Sequence, residues 1–147
     1  MNKQEAVGVF MQKFGQDCPD KPTIPSFDIQ KLRLELIDEE RGELRAALAA
    51  GNLIETADAI ADLLYVVYGT AVACGIDIDK VFEEVHRSNM SKLWTMAELV
   101  ALDDKLEFYI ISPEVIIPDR NARQFIVKIA SGKVIKSPSY SPANIQL

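Results

Sequence analysis

LIDEERGEL, Leu36 to Leu44, and ETADAIADLLYVVYGTA, Glu55 to Ala71, decide the fold of this chain. The first sets Glu39, Glu40 and Glu43 within little more than one helical turn. The second plants Glu55, Asp58 and Asp62 in a segment otherwise suited to a buried core. At about 100° per residue, Leu34, Leu36, Ile37, Leu44 and Leu48 spread over one wide arc, the expected core face. Glu40 falls inside that arc and Glu43 on its margin. The second segment is apolar nearly all round, the pattern of a helix surrounded by others, yet its three acids project within roughly 60° of each other.

A charge withdrawn from water without a partner costs several kcal/mol, and Glu39 and Glu43, four residues apart, repel by about 0.2–0.5 kcal/mol. Facing the two acidic stripes across adjacent helices would build a cage of oxygen ligands whose strain divalent cations remove. Carboxylates alone, without Cys or a His cluster, suit Mg²⁺ first and Mn²⁺ second rather than Zn²⁺. Simpler roles exist for some of these residues. Glu39 and Glu43 could form a solvated helix face, and Glu55, three residues after Asn52, could return a capping-box bond. Asp58 and Asp62 have no such local role, so the conjunction points to a metal site.

Outward from these helices, the pattern predicts a short amphipathic helix from about Asn2 to Phe14, then a loop, CPDKPTIPS, whose three prolines no helix can cross. Asp28 is the expected cap of the long helix, which runs to Ala50 and stops at Gly51. Asn52 opens the next helix, ended by Gly75. Asp77 caps a fourth reaching about Lys92, and TMAE, Thr95 to Glu98, has capping-box spacing for a short fifth. After Lys105, EFYII, RQFIVKIA and KVIKSPSY turn β-branched and aromatic, with Ser131-Gly132 a hairpin turn; SPSYSPANIQL reads as an extended tail. The expected fold is mainly α, a four- to five-helix bundle with a small C-terminal β-hairpin appendage: a helical catalytic region over 1–104, and a hairpin and tail over 105–147.

The whole is 147 residues with a net charge of -6, enough for a real core. An acidic surface argues against nucleic-acid binding through phosphates, although an acidic protein binds a phosphorylated small molecule when a cation stands between them. Cys18 and Cys74 read as reduced thiols of a cytoplasmic protein. No export signal or membrane span is expected.

The ordered set of acids resembles the all-α nucleoside triphosphate pyrophosphohydrolases, the superfamily of MazG, the dimeric dUTPases and phosphoribosyl-ATP pyrophosphohydrolase. Their EExxE motif matches Glu39, Glu40 and Glu43; their second motif matches Asp58 and Asp62, followed by Leu63, Leu64 and Tyr65. VHRSNMSKL, Val85 to Leu93, and GKVIKSPSYSPANI, Gly132 to Ile145, resemble the phosphoribosyl-ATP pyrophosphohydrolase-like branch. The chain departs from the pattern at Ala59, where many relatives carry Glu three residues before the Asp, and in the long stretch from Trp94 to Ala122.

The resemblance implies Mg²⁺-dependent hydrolysis of a (d)NTP between the α and β phosphates. Glu39, Glu40, Glu43, Asp58 and Asp62 would form the metal set, and Glu39 or Glu40 would position the water. Asn89 and Lys92, three apart on one helix face, would reach the triphosphate, Lys92 having as its alternative a complement to the helix C-terminus. Lys133 and Lys136, alternating along the last strand, read either as phosphate contacts or as a solvated strand face; Tyr65 or Phe14 would meet the base, Tyr65 having a core role as its alternative. So small a bundle leaves apolar surface to cover, which predicts a homodimer or dimer of dimers that buries the third helix.

Two other classes compete. A di-iron carboxylate bundle needs two ExxH motifs, and only Glu83 to His86 supplies one. A non-catalytic nucleotide-binding module would have little physical reason to keep the full acid set.

Overall fold

A computed structural model describes residues 1–101, 110–111, 115–116 and 123–147. The chain is mainly helical and divides into two compact units, Met1–Lys80 with Leu147, and Val81–Gln146.

The first unit is built from α1 (Lys3–Lys13), α2 (Phe27–Ala50), α3 (Leu53–Ala73) and the start of α4 (Ile78–Met90). Asn2 and Glu5 close a reciprocal capping box on α1. α2 begins two residues earlier than expected: Ser26 is the N-cap, and Asp28 instead lies in the first turn, where its charge complements the helix dipole. Gly51, at φ 66, ends α2 by donating to the Ala47 and Leu48 carbonyls. Only Gly51 and Asn52 separate α2 from α3, which makes the two antiparallel neighbours. The Asn52 side chain accepts from the Ile54 and Glu55 N–H groups. Glu55 does not return the bond, because the Asn52 N–H goes to the Ala47 carbonyl.

The proline-rich loop packs over the end of α3, where the Thr23 N–H reaches the Cys74 carbonyl at 2.9 Å. Gly75, at φ 62, leaves no room for a side chain: a Cβ there would lie 2.3 Å from the Lys21 carbonyl oxygen. The Gln4 amide ties α1 to this corner, donating to the Ile76 carbonyl at 2.6 Å and accepting from the Ile78 N–H at 2.9 Å. The core here is Val7, Met11 and Ala73, flanked by Ile29, Tyr68 and Val72.

The expected core arc of α2 needs correction. Leu36, Ile37 and Leu44 are half-buried, but Leu34 and Leu48 are exposed, and the buried positions are Arg33 and Ala47. α3 likewise is not enclosed within one chain. Its buried residues are the small ones, Thr56, Ala59, Gly69, Ala71 and Ala73, which allow a close approach of backbones. Many of its large apolar residues face out, Leu53 and Ile54 at 80% and 81% exposure, with Ile60, Leu64, Tyr65 and Val67 exposed beside them. By length and composition alone α3 could cross a membrane. Its stripe of acids argues for protein surroundings, since each would cost about 2.5–3.5 kcal/mol at a bilayer centre.

The second unit carries the rest of α4, β1 (Trp94–Thr95), α5 (Met96–Val100), β2 (Ile110–Ile111), β3 (Val115–Ile116), β4 (Arg123–Phe125) and β5 (Val127–Lys128). Thr95 and Glu98 form the expected capping box on α5. RQFIVKIA is not one strand but two, because its halves serve different sheets: β4 lies between β1 and β3, whereas β5 pairs with β2, all antiparallel. The last segment turns back at Ser131-Gly132 and meets β5 through the Lys128–Val134 bridge, a small hairpin. Trp94, Leu99, Phe125 and Val127 form its core, and the Trp94 indole N–H donates to the Ile135 carbonyl at 3.0 Å. The first three residues of EFYII, and most of the Trp94 to Ala122 stretch, lie outside the described residues.

Candidate active site

The antiparallel register of α2 and α3 brings their acids together. Glu43 shares a cavity of about 360 Å³ with Glu55, Asp58 and Asn52. One turn along α2, Glu40 shares a second, of about 290 Å³, with Asp62 and Tyr65. None of Glu39, Glu40, Glu43, Glu55, Asp58 and Asp62 has a basic partner within 4.0 Å among the described residues. Two basic residues of α2 serve other acids, Lys31 pairing with Glu35 and Arg41 with Asp38.

Glu40 is the focus. Its Oε2 atom is buried with no hydrogen-bond partner. Burial raises its carboxyl above the ordinary carboxylate range, and the charges of Glu43, Asp62, Glu39 and Asp58 raise it further, in that order. Four of the sequence-predicted acids therefore act on the fifth, Glu40. They stop short of a formed site: among the described residues no three His, Cys, Asp or Glu side chains converge closely enough to hold an ion. A buried orphan oxygen surrounded by uncompensated carboxylates is nonetheless the donor chemistry that fits a hard divalent cation. Of the predicted set, Glu40 is half-buried and Glu39, Glu43, Asp58 and Asp62 are exposed.

The aromatic residues gather at the Glu40–Asp62 cavity. Tyr65 is exposed rather than in the core, and meets Phe10 edge-on at 5.6 Å; Phe14 packs on Phe10 at 4.3 Å. Arg33, on the same cavity, was not among the candidates read from sequence. The signal was available in its spacing: Arg33, Glu40 and Ala47 stand seven residues apart and share the inner face of α2.

In the second unit, Lys92 Nζ donates to Asn89 Oδ1 at 2.6 Å, as their spacing predicts. Lys136 Nζ sits 4.3 Å from the centre of the Tyr140 ring. Ser88 donates to the Tyr140 hydroxyl at 3.1 Å. That hydrogen bond, aided by the charges of Lys136 and Lys92, lowers the Tyr140 pKa. Lys136 is thus brought to the Tyr140 phenol, whose charge Lys92 also favours, while Lys133 is exposed on the hairpin. Sequence reading missed Tyr140 and Ser88. His86 stacks on Phe82 at 6.5 Å and is exposed, and among the described residues it belongs to no group of acids that could hold a metal.

A family model of phosphoribosyl-ATP pyrophosphohydrolases matches residues 7–89, more than half of the chain, including both acidic motifs. The chain belongs to the phosphoribosyl-ATP pyrophosphohydrolase family. Asn89 is the last residue matched, so Lys92 and the C-terminal segment lie beyond the family match. An uncharacterized protein of Acanthamoeba polyphaga mimivirus is 44% identical over 79 residues, which are 51% of this chain and 32% of that protein. The chain thus spans about a third of the length of that relative.

Proposed function

We propose that this protein is a nucleoside triphosphate pyrophosphohydrolase, dependent on Mg²⁺ or Mn²⁺, which splits (d)NTPs between the α and β phosphates into (d)NMP and pyrophosphate. Membership of a family named for phosphoric anhydride hydrolysis supports the reaction class. The observation that carries the reading is the Oε2 atom of half-buried Glu40, buried without a partner while the charges of four further carboxylates act on it. Glu40, Glu43, Asp58 and Asp62 would hold the cation, with Glu55 at the rim of the neighbouring cavity. When bound, a divalent ion neutralises phosphate oxygens and stabilises the leaving pyrophosphate.

The chain supplies the remaining roles. Glu39 or Glu40 orients the attacking water and accepts its proton. Asn89 and Lys92, held to each other at 2.6 Å, offer an amide and an ammonium to the triphosphate, with Lys133 and Lys136 as further cations. A second copy of the chain covers the exposed apolar side chains of α3, giving a homodimer or a dimer of dimers. The two free thiols are in keeping with a cytoplasmic setting.

Incubating the protein with a panel of NTPs and dNTPs tests this reading. Pyrophosphate is expected with Mg²⁺ and is lost in chelator. Release of orthophosphate, or no turnover across the panel, overturns it.

A further inference from the structure

We propose that the hydroxyl of Tyr140 is a phosphate ligand: with Lys136 and Lys92 it forms, in the second unit, a binding site for a small polyphosphate such as pyrophosphate or the tail of a nucleoside triphosphate. This rests on the triphosphate reading above and deepens it, by adding a fixed hydroxyl donor to the amide and ammonium groups of that reading.

Charge is segregated along the chain. No Asp or Glu follows Asp119, although the whole carries a net charge of -6, and Val85 to Ala97 likewise holds Arg87 and Lys92 but no acid. These two stretches meet at one side chain. Ser88, only 4% exposed on α4, donates to the Tyr140 hydroxyl at 3.1 Å. Lys136 Nζ lies 4.3 Å from the centre of the same ring. The charges of Lys136 and Lys92 both act on the phenol, which is itself exposed. Arg87 is committed to Glu84, whereas among the described residues neither Lys92 nor Lys136 has a carboxylate partner.

Hydrogen bonding fixes how the phenol is presented. Its oxygen accepts from Ser88, so the phenolic proton is turned elsewhere and remains to be donated. The backbone is pinned at three successive amides. Ser139 N–H donates to Glu98 Oε1 at 3.1 Å, Tyr140 N–H to the Ser137 carbonyl at 3.1 Å, and Ser141 N–H to Ser91 Oγ at 2.9 Å. The Ser137 hydroxyl in turn donates to the Ser91 carbonyl at 2.9 Å. An exposed phenol gains little from burial; what this setting provides is a donor held in place before a ligand arrives, which spares the ordering cost of binding.

One hydroxyl donor and two ammonium groups match the oxygens of a phosphate chain. A long polyanion such as RNA fits less well, because the acidic remainder of the chain repels it.

Calorimetric titration with inorganic pyrophosphate in excess EDTA isolates this site, since without a cation the acid cluster of the first unit repels the anion. The wild type is expected to bind one pyrophosphate per chain. Tyr140→Phe should weaken binding about tenfold or more, the scale of a hydrogen bond to a charged group. Lys136→Met should weaken it likewise, and keeps the test open if Tyr140→Phe does not fold. Lys13→Met, which removes the same charge from α1, should leave binding unchanged. Pyrophosphate should also perturb the ultraviolet absorption of a tyrosine in the wild type but not in Tyr140→Phe, a signature that a merely structural ring would not give. Pyrophosphate binding without hydrolysis of any nucleotide would sustain this inference while refuting the proposed activity. Hydrolysis at an unchanged KM in Tyr140→Phe would refute this inference and leave the activity standing. No binding by the wild type, wild-type affinity in both site variants, equal weakening in Lys13→Met, or preference for a single-stranded oligonucleotide over pyrophosphate would also overturn it.

Discussion

Glu40→Gln should stabilise the protein in chelator and abolish its stabilisation by Mg²⁺. The side chain keeps its shape and loses its charge, so the change isolates electrostatics. Glu40 feels Glu43, Asp62, Glu39 and Asp58. At about 0.2–0.5 kcal/mol for Glu43, the like-charge neighbour one turn along the helix, and no more for Asp62 and Asp58 across the helix pair, removing the repulsions yields roughly 1 kcal/mol, with relief from burying an unpaired oxygen in addition. For a chain of this size, that is a rise in Tm of about 2–4 °C. The pH dependence has a definite sign. A carboxyl whose folded pKa is raised binds protons more readily in the folded state, so its penalty is absent below its unfolded pKa, near 4.5. The penalty grows as pH climbs through the folded value. Thermal melts in EDTA between pH 4.5 and 8 should therefore show the wild type losing ground to Glu40→Gln as pH rises. Adding Mg²⁺ at pH 8 should reverse the order. Equal melting temperatures in chelator, or equal stabilisation of both proteins by Mg²⁺, would refute a carboxylate cage centred on Glu40.

Other consequences can be measured directly. Glu43→Gln and Asp62→Asn should each cut pyrophosphate release at least a hundredfold while circular dichroism stays native, because each removes a proposed metal ligand and relieves repulsion. Sedimentation at micromolar concentration should give a dimer or tetramer, and Leu64→Glu, which puts a charge on the exposed face of α3, should shift it towards monomer. Gly75→Ala should destabilise by about 2–4 kcal/mol in urea denaturation, since it combines left-handed backbone strain with a clash against Lys21. Glu84, held at about 2 by the Arg87 guanidinium and the Asn144 N–H, should contribute stability above pH 4.5 that fades as pH falls towards 2; Glu84→Gln should remove that dependence.

The helices were legible because helix signals are local. Gly51, Asn52, Thr95 and the proline loop fix boundaries within a few residues, and periodicity alone placed Glu40 on the inner face. The convergence of Glu43 with Asp58, and of Glu40 with Asp62, was legible too, since a two-residue link dictates an antiparallel register. What could not be read locally was the partner of each face. Leu34 and Leu48 looked like core by hydrophobicity, yet both are exposed, with nothing among the described residues to bury them. Arg33 looked like surface by residue type, yet Gly69 on another helix makes the space that buries it. RQFIVKIA read as one strand because sequence does not reveal that its halves pair in different sheets. Tyr140, far from the acidic motifs, offered no periodic signal at all.

The stretch from Ser137 to Asn144 has neither helix nor strand, but it is not loose string. The Ser139 amide is held by Glu98, the Ser141 amide by the Ser91 hydroxyl and the Asn144 amide by Glu84, while Arg87 grips the Pro142 carbonyl. Side chains from α4, the turn after it and α5 thus do for this ribbon what a neighbouring strand does in a sheet. Ribbon and helix should fray as one piece, so damage to α4 would be felt some fifty residues away along the chain and almost nowhere between.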